Sequence, residues 1–531
     1  MRRSLILFLS ILFVATTLSA KSPQKDNDAM TQLRKFNQFY SYLNGSYVEE
    51  IDMAPLVEKA IVEMLLELDP HSAYIDAEEM KSVNESFEGE FSGIGVEFNI
   101  LKDTVIVVNT IVGAPAESVG VMPNDRIIAV DGESVIGITQ AKVPTYLRGV
   151  RGSKVAIEVV RHGEDGTLDF IIERDNIPIN TVDAAYMLND TVGYIKVNRF
   201  GQTTFSEFYD AYRELAPLET LVLDLRGNGG GLLGQAIDLA NFFLPRGALI
   251  VSTEGRHEEP TVINAYSEGQ YQGGNVVVMI DEDSASASEI VAGALQDWDR
   301  AVILGRPSFG KGLVQRQFQL LDGSTARITV ARYHTPTGRV IQRPYTEGDK
   351  DSYYERHIAR YSNEDSVVMD SVADRPVYHT LRLGREVYGG GGIMPDIIVE
   401  RDTTTISPYY ISLIRKSVVN EFVIDYLDHH RAELIARYPT FESFNNGFEV
   451  SDEQLSELMV LGDRRSVERE EYTIDDFRDV AQVNIKALFA QKLFTTAEFY
   501  KVVNYHNDNF FKELNTLLEN WDSKEVEIFG L

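Results

Sequence analysis

Residues 275–289 read Asn-Val-Val-Val-Met-Ile-Asp-Glu-Asp-Ser-Ala-Ser-Ala-Ser-Glu, an apolar run followed by an acidic, serine-rich loop. A helical stretch from Ser288 to Gln296 comes next. The apolar run has no polar alternation, which is typical of a strand that is buried on both faces. The stretch therefore predicts a buried strand, a loop and a helix of an α/β domain.

The same pattern recurs on both sides of this stretch. Leu221–Leu225 is an apolar run that glycines separate from a helical stretch, Leu233–Phe243, and Ala301–Leu304 is a third apolar run. Strands and helices thus alternate from about residue 190 to residue 335, which predicts an α/β core. Open α/β sheets bind ligands in the loops beyond the carboxyl ends of their strands. We therefore expect any chemistry in the three loops that follow these runs.

The first loop, Arg226-Gly227-Asn228-Gly229-Gly230-Gly231, is rich in glycine. Consecutive glycines let several backbone N–H groups point at one spot, which suits an oxyanion or a phosphate. A tight strand-to-helix turn also favours glycine. Gly229 to Gly234 further satisfies a dinucleotide fingerprint, with Glu254 about twenty residues on. The loop by itself leaves these interpretations open.

The second loop, Asp281 to Glu289, places Ser286 between a strand and a helix. A serine at a helix N-terminus lies where backbone donors and the helix dipole stabilise developing negative charge. Ser286 and Glu289 also fit the capping box Ser-x-x-Glu, in which they would only cap the helix. Taken alone, this loop favours capping.

The third loop, Arg306–Gly312, carries Lys311 between two glycines. Such a lysine is usually a solvated loop tip, but burial would remove much of its charge and let it act as a general base. If a strand starts at Lys311, Lys311 and Gln315 share one of its faces, and the glutamine oxygen can accept a hydrogen bond from the amine. The loop also fits G-x-x-x-x-G-K. A nucleotide-binding loop is rejected because Gly312 replaces the required Ser or Thr and a β-like stretch, Leu313–Leu320, follows.

The residue pattern outside the α/β core is different. Residues 88 to 175 carry short β-rich runs and turn signals, which predicts a small separate β-rich domain. Its runs are Val105–Val108, Arg126–Val130 and Val155–Val160. Helical periodicity predicts helices from about 25 to 86 and from about 405 to the end. Residues 345 to 385 are polar and tyrosine-rich without a clear period, so we expect an inserted loop there.

Length, charge and composition bound the function. The chain has 531 residues, which favours two to four domains. Its formal net charge of -31 argues against nucleic acid as a partner, because phosphate binding needs clustered Lys and Arg. The sequence contains no cysteine, which excludes a disulfide, a cysteine nucleophile and a lipoprotein anchor.

The first twenty residues are typical of an export signal. Arg2 and Arg3 precede an apolar run, Leu5–Val14, and small residues follow from Ala15 to Ala20. The run is too short to span a bilayer comfortably, so we expect cleavage after Ser19 or Ala20. The alternative is an uncleaved N-terminal anchor. Either outcome predicts a protein of the periplasm or cell envelope.

Together, the three loops resemble the C-terminal processing peptidases, also called carboxy-terminal or tail-specific proteases. The family's sheet loop reads close to Asp-Leu-Arg-Gly-Asn-Pro-Gly-Gly, and Asp224 to Gly231 differ from it by Gly229 in place of proline. Ser284–Ile290 and Phe309–Gln315 match closely. Leu68–Tyr74, Tyr333–Arg339 and Gly391–Asp396 are similar to flanking segments of the family. The resemblance covers about residues 30 to 400.

The resemblance implies a ClpP/crotonase-like α/β protease core and a role for each matched residue. The nucleophile falls on Ser286, and the base falls on Lys311, which lies 25 positions later (311 − 286). The assisting glutamine falls on Gln315, and backbone N–H groups of Gly230 and Ala287 are expected to hold the oxyanion. No metal or cofactor is implied.

The β-rich region resembles a PDZ domain. Ser92–Phe98 looks like its carboxylate-binding loop, and three later segments match as well: Ala114–Ala116, Asn124–Ile128 and Val130–Gly132. Such domains add an extended peptide as a strand and capture its terminal carboxylate with backbone N–H groups. The expected donors are Ile94, Gly95 and Val96.

The predicted protein is multidomain, with an α/β protease core, an inserted β-rich PDZ domain and helical N- and C-terminal regions. Its expected parts are a signal peptide (1–20), an N-terminal helical region (21–87), a PDZ domain (88–175), a protease core (176–402, with the insertion at about 345–385) and a C-terminal helical region (403–531). We expect an exported serine endopeptidase that cleaves proteins near their C-termini and binds their exposed tails through the PDZ domain.

Two alternative functions stay open, as does the role of the C-terminal helical region. A non-catalytic PDZ peptide-binding scaffold of the cell envelope would share the same domains without cleavage, and a dinucleotide enzyme would need cofactor binding. The C-terminal helical region is a candidate for self-association or for binding an adaptor, although helices that only pack look the same in sequence.

Overall fold

The computed structural model describes residues 28–111, 113–360, 375–400, 407–469, 472–506 and 509–529. The predicted export signal, residues 1–20, lies outside them. Among the described helices, none has the length and apolar content that a bilayer span requires. The chain divides into two compact units, Met1–Met64 and Leu65–Leu531.

The helices of the described residues are α1 Ala29–Ser46, α2 Met53–Leu66, α3 Ala77–Glu88, α4 Pro115–Ser118, α5 Val143–Leu147, α6 Thr204–Leu215, α7 Leu233–Phe243, α8 Ala287–Asp297, α9 Lys350–Ala359, α10 Pro408–Arg415, α11 Val418–Arg437, α12 Phe441–Gly447, α13 Asp452–Arg464, α14 Arg478–Leu493, α15 Thr496–Tyr505, α16 Asn509–Glu519 and α17 Trp521–Phe529.

The strands are β1 Ala73–Ile75, β2 Glu90–Gly93, β3 Val96–Leu101, β4 Thr104–Thr110, β5 Arg126–Val130, β6 Glu133–Ser134, β7 Lys154–Val160, β8 Leu168–Glu173, β9 Asp175–Pro178, β10 Val182–Met187, β11 Val192–Val197, β12 Thr220–Asp224, β13 Leu249–Glu254, β14 Thr261–Asn264, β15 Asn275–Ile280, β16 Val302–Gly305, β17 Leu313–Gln319, β18 Thr325–His334, β19 Val377–His379, β20 Glu386–Tyr388 and β21 Ile397–Ile398.

A six-stranded sheet forms the centre of the larger unit, in the order β10-β11-β12-β15-β16-β21. The strands from β11 to β21 pair in parallel, and β10 joins the edge antiparallel. All residues of β12 and β16 are buried, as are all but the first residue of β15. The apolar runs therefore form strands buried on both faces, as the sequence predicts.

Different parts of the chain cover the two faces of this sheet. On one face, Leu221 and Val278 pack with residues of α7 and α8. On the other face, Val222 and Val277 pack against Phe510, Phe511, Leu514 and Leu517 of α16. Full burial of one such side chain contributes about 1.5–3 kcal/mol. The last helices of the chain thus complete the core of the central sheet.

A second sheet has five strands. It runs β1-β18-β13-β14, and β17 also pairs with β18. β17 is the strand that follows Lys311. Ala73 of β1 pairs with Arg327 of β18, so the segment Leu68–Tyr74 is held beside β18, the strand that also pairs with β17.

The β-rich region folds on a core of its own, which includes Ile94, Val107, Ile127 and Val159. The three runs predicted there form β4, β5 and β7. The outer side of β3 and β4 packs against α11, where Ile424 contacts Leu101, Ile106 and Val108. An Arg126–Asp428 ion pair adds to this contact.

The prediction of an inserted loop at residues 345–385 is wrong for residues 350–359, which form α9, and for residues 377–379, which form β19. Asp349 caps this helix by accepting the Ser352 N–H. The buried face of α9 consists of Tyr353 and His357, which lie four residues apart. An aromatic pair on one short helix gives too few apolar positions for a visible period. Residues 361–374 lie outside the described residues.

Helices are present where periodicity predicts them at both ends of the described chain. α1 contains Leu33, Phe36 and Phe39, yet it buries none of its residues. In the C-terminal region, Ser417 adopts a positive φ of 57° between α10 and α11. Because of this break, α10 and α11 do not share one continuous apolar face: Ile414 is exposed and Val418 is buried.

Candidate active site

Three loops with unusual residues follow β12, β15 and β16, which are neighbours in the central sheet. Because parallel strands end at the same edge, these loops meet in space. They line a cleft of about 600 Å³ whose walls include Gly230, Ser286, Lys311 and Gln315. The fold therefore brings the sequence-predicted residues of the core to one place.

Ser286 lies on a strained turn from β15 to α8. Its φ of 55° and ψ of -109° are unfavourable for a residue with a side chain, at a cost on the order of 1–3 kcal/mol. The neighbouring backbone is fixed by Asn228, whose carbonyl accepts the Ala285 N–H at 3.0 Å and the Ser288 hydroxyl at 2.9 Å. A strained strand-to-helix turn of this type exposes a nucleophile at the top of the sheet.

The buried Glu289 carboxylate joins the second loop, Asp281–Glu289 (the serine loop), to the third loop, Arg306–Gly312 (the lysine loop). Its Oε2 accepts the Ser286 N–H at 2.8 Å and the Lys311 N–H at 2.9 Å. Its Oε1 accepts the Gly310 N–H at 2.7 Å and the Ser308 hydroxyl at 2.5 Å. Burial raises the pKa of Glu289, while these four donors lower it. The capping interpretation from sequence therefore covers only part of its role.

Tyr333, at the end of β18, joins the same two loops through their carbonyl groups. Its buried hydroxyl lies 2.6 Å from the Lys311 carbonyl oxygen and 3.2 Å from that of Ser286. Sequence reasoning assigned no role to Tyr333, although it lies in a segment that matched the family. Its only signal was that match, because a tyrosine at a strand end has no local pattern.

The Lys311 amine is held within the cleft. Its Nζ donates to Gln315 Oε1 at 3.0 Å, and Gln315 Nε2 donates to the His71 carbonyl at 2.7 Å. The expected Lys311–Gln315 contact is therefore present. Among the hydrogen bonds of the described residues, none joins the Lys311 amine to the Ser286 hydroxyl. In unliganded sites such contacts often form only when substrate binds.

Charge and burial act in opposite directions on Lys311. Burial, followed by the positive charge of Arg327, lowers the pKa of the Lys311 amine. The carboxylates of Glu289 and Asp69 oppose this shift. The net direction is downward, which favours a neutral amine.

The two predicted oxyanion donors differ in availability. Gly230 packs against the nucleophile turn, since a Cβ there would lie 2.8 Å from Ser286 Cβ. Its N–H, however, donates to Asn228 Oδ1 at 2.9 Å, so it is occupied in this arrangement, contrary to expectation. The Ala287 N–H has no acceptor within the described residues, because it belongs to the first turn of α8.

The competing glycine motifs do not fit this geometry. Lys311 is followed by β17 instead of a helix, which supports rejecting the nucleotide-binding loop. Glu254 ends β13, a strand outside the central sheet, whereas the dinucleotide fingerprint needs its acidic residue beside the glycine-rich turn. Within the described ranges, no group of three acidic or histidine side chains could hold a metal ion.

A second candidate site lies in the β-rich domain, between β3 and α5. The carbonyls of Ile94 and Gly95 accept the N–H groups of Ala116 and Ile111, while their own N–H groups have no acceptor in the described part of the chain. They border a small apolar cavity of about 50 Å³. Its lining includes Val96, Phe98, Pro144 and Leu147. The predicted carboxylate-binding residues are thus gathered at one end of a groove.

Replacing Glu289 with glutamine tests its structural role. The amide nitrogen of glutamine cannot accept hydrogen bonds, so about two of the four buried donors would lose their partner. We expect the free energy of unfolding to fall by about 2–4 kcal/mol, measured by urea unfolding with the fluorescence of Trp298 and Trp521. The control is Glu258→Gln, which removes an exposed ion pair with Arg316 and should cost under about 1 kcal/mol. Equal stability of the two variants would contradict this role.

Comparison with known proteins identifies the parts of the chain. The model of peptidase family S41 matches residues 191–351, and a PDZ domain model matches residues 92–172. The N-terminal domain of the activating protease CtpB matches residues 13–79, and a family of unknown function matches residues 409–495.

The alignments with named relatives cover most of the length of those relatives. A carboxy-terminal-processing protease of Bartonella bacilliformis is 38% identical over 353 residues, which are 64% of this chain and 81% of the relative. Carboxy-terminal processing protease CtpA of Bacillus subtilis is 34% identical, over 65% of this chain and 76% of its own. The structure of a photosystem II D1 C-terminal processing protease is 30% identical and covers 58% of this chain and 83% of its own, with a TM-score of 0.35. The chain therefore belongs to the carboxy-terminal processing proteases, serine proteases of peptidase family S41, and carries a PDZ domain.

Proposed function

We propose that this protein is an exported serine endopeptidase that cleaves proteins near their C-termini with a Ser286–Lys311 dyad. One observation carries the dyad: a single oxygen of Glu289 accepts the N–H groups of both residues, so their backbones are fixed side by side on one cleft. Gln315 orients the amine, and burial favours its neutral form. A neutral amine is what a general base requires.

The proposed reaction forms one covalent intermediate, and Lys311 transfers the proton in each of its two steps. Neutral Lys311 takes the proton from the Ser286 hydroxyl while its Oγ attacks the scissile carbonyl carbon. The C–N bond then breaks, and Lys311 passes the same proton to the leaving amine. Lys311 next takes a proton from water, whose oxygen attacks the acyl carbon. The bond between Ser286 Oγ and the acyl carbon then breaks, Lys311 returns the proton to Oγ, and the new C-terminus leaves. Approach of the two side chains on substrate binding completes the dyad.

The oxyanion of this reaction would face the start of α8. The Ala287 N–H is positioned for it, because the first donors of a helix have no intrahelical acceptor. Gly230 can contribute only if its N–H leaves Asn228, so the glycine loop would have to adjust when the tetrahedral intermediate forms.

The PDZ domain is proposed to bind the C-terminal tail of the substrate. The N–H groups of Ile94, Gly95 and Val96 would capture the carboxylate, and the apolar lining around Phe98 and Leu147 would receive an apolar last side chain.

The proposal of export rests on the charged and apolar pattern of residues 1–20. Cell fractionation tests it by comparing the full chain with a chain that lacks these residues.

Alanine variants of the dyad test the mechanism. Ser286→Ala and Lys311→Ala should each lower cleavage of an unstructured, apolar-tailed protein by at least about 1,000-fold, because the nucleophile or its base is lost. Mass spectrometry of the products measures cleavage, and thermal unfolding checks the fold. Lys154→Ala, at an exposed position of β7, is the control. Wild-type turnover by Ser286→Ala would show that the nucleophile is misassigned, and a protein that never cleaves would favour the scaffold alternative.

The charge of Arg327 should contribute to the position of the acid limit of activity, because it lowers the pKa of Lys311 after burial. Only neutral Lys311 can act as base, so activity rises as the pH rises through its lowered pKa. In Arg327→Met a source of that lowering is lost, so the pKa rises and the acid limb of kcat/KM moves to higher pH. Arg332→Met, at an exposed position of the same strand, should leave the limb in place. A limb that stays or moves to lower pH in Arg327→Met would contradict this electrostatic role.

Gly95 allows a direct test of tail binding. It adopts φ +77°, and a Cβ there would lie 2.2 Å from Ala114 Cβ, so Gly95→Ala must displace the loop. In a Ser286→Ala background, we expect it to weaken calorimetric binding of an apolar-tailed peptide at least about tenfold. Gly163→Ala, where a Cβ meets nothing within 4 Å, is the matched control. Equal binding of free-acid and amidated peptides would rule out carboxylate capture.

A further inference from the structure

The inserted helix α9 contacts the lysine loop, the serine loop and the segment that supports Gln315. The family match ends at residue 351, so nearly all of α9 lies beyond it. Tyr353 is 1% exposed and His357 is 9% exposed, so both side chains point into the protein. Their neighbours are the lysine loop, the serine loop and the segment Asp69–Ser72.

The contact with the lysine loop is aromatic and cationic. The rings of His357 and Phe309 have centroids 4.6 Å apart. The Arg343 guanidinium lies 4.6 Å from the Phe309 ring centre and 4.3 Å from that of Tyr353. Arg360, which caps the end of α9, donates to the Ser308 carbonyl at 3.0 Å. Because Phe309 lies two residues before Lys311, α9 limits the movement of that loop.

The contact with the serine loop is polar. His357 Nε2 lies 3.4 Å from Asp283 Oδ1, three residues before Ser286. One helix therefore contacts both loops.

The contact with Asp69–Ser72 leads to the lysine amine. Tyr353 accepts from Gln342 Nε2 at 3.4 Å and lies 3.3 Å from His71 Nε2. The His71 carbonyl in turn accepts from Gln315, and Gln315 accepts from Lys311 Nζ. Burial, followed by the charge of Lys311, lowers the pKa of His71 to about 3. His71 therefore stays neutral, and this support does not titrate in the working range.

We propose that α9 is a positioning element of the protease, and that Tyr353 holds the Lys311 amine in its buried place through His71 and Gln315. This inference rests on the proposed Ser286–Lys311 mechanism and adds a part that lies beyond the matched family core. Tyr353 acts through other residues and does not touch substrate.

The pH profile separates positioning from plain structural support. The charged or titratable groups that face Lys311 are Arg327 on β18, Glu289 on α8, and Asp69 and His71 before β1. Since burial is the largest cause of its lowered pKa, a loosened loop that admits water raises that pKa. The acid limb of kcat/KM then moves to higher pH. A loss of folded protein would instead lower activity by one factor at every pH.

The experiment compares Tyr353→Leu, Tyr353→Phe and Glu355→Gln over a pH series with the full chain. We expect Tyr353→Leu to lower kcat about tenfold near neutral pH, with recovery at higher pH and a displaced acid limb. Tyr353→Phe keeps the ring on Arg343 and should show a smaller shift in the same direction. Glu355→Gln, at an exposed position of α9, should match the wild type.

The outcomes separate the two proposals. An acid limb that is unmoved in both Tyr353 variants, with activity unchanged or scaled equally at every pH, would overturn the role of α9. Lys311→Ala is measured in the same series. If it stays active, the proposed mechanism fails; if it is inactive while the Tyr353 variants keep the wild-type limb, only the inference about α9 fails.

Discussion

One buried carboxylate holds the site together. Glu289 Oε2 accepts the N–H groups of Ser286 and Lys311, residues 25 positions apart in the chain (311 − 286), and its other oxygen accepts two more donors of the lysine loop. Charge-assisted hydrogen bonds are stronger and shorter than neutral ones, so this arrangement resists separation of the loops. The Tyr333 hydroxyl makes a second link between the same two residues, because it lies within hydrogen-bond distance of both of their backbone carbonyl oxygens. The strained backbone of Ser286 is thus restrained by groups that also restrain Lys311.

The sheet places those groups within reach of one another. β12, β15 and β16 are adjacent and parallel, so the three loops that follow them leave the same edge. Such a sheet must be covered on both faces, since its strands carry no polar side. α7 and α8 cover one face, and α16 covers the other. The end of the chain therefore supports the sheet from which the site projects.

Much of the core could be predicted from the sequence because its signals are local. The apolar runs predict β12, β15 and β16. Ser286, Lys311 and Gln315 follow from the resemblance of the three loops taken together, since the serine loop alone favours capping. Hydrogen bonds between a side chain and the backbone of a distant segment leave no local pattern in the sequence. Glu289 fits a capping box, so its link to Lys311 stayed hidden. The occupied N–H of Gly230 depends on the orientation of the Asn228 side chain. α9 was missed because its buried face is only Tyr353 and His357.

The electrostatics of the site explain why the Glu289 carboxylate does not keep the Lys311 amine in its protonated form. A carboxylate near an amine normally raises its pKa, and both Glu289 and Asp69 act on Lys311 in this direction. Glu289, however, is directed at four donors, and Asp69 accepts the N–H groups of His71 and Ser72, so neither makes a direct hydrogen bond to the amine within the described residues. The only hydrogen bond that the described residues give the amine is to Gln315, a neutral acceptor. Burial and Arg327 then determine the direction of the pKa, which keeps the base available while the carboxylates serve the backbone.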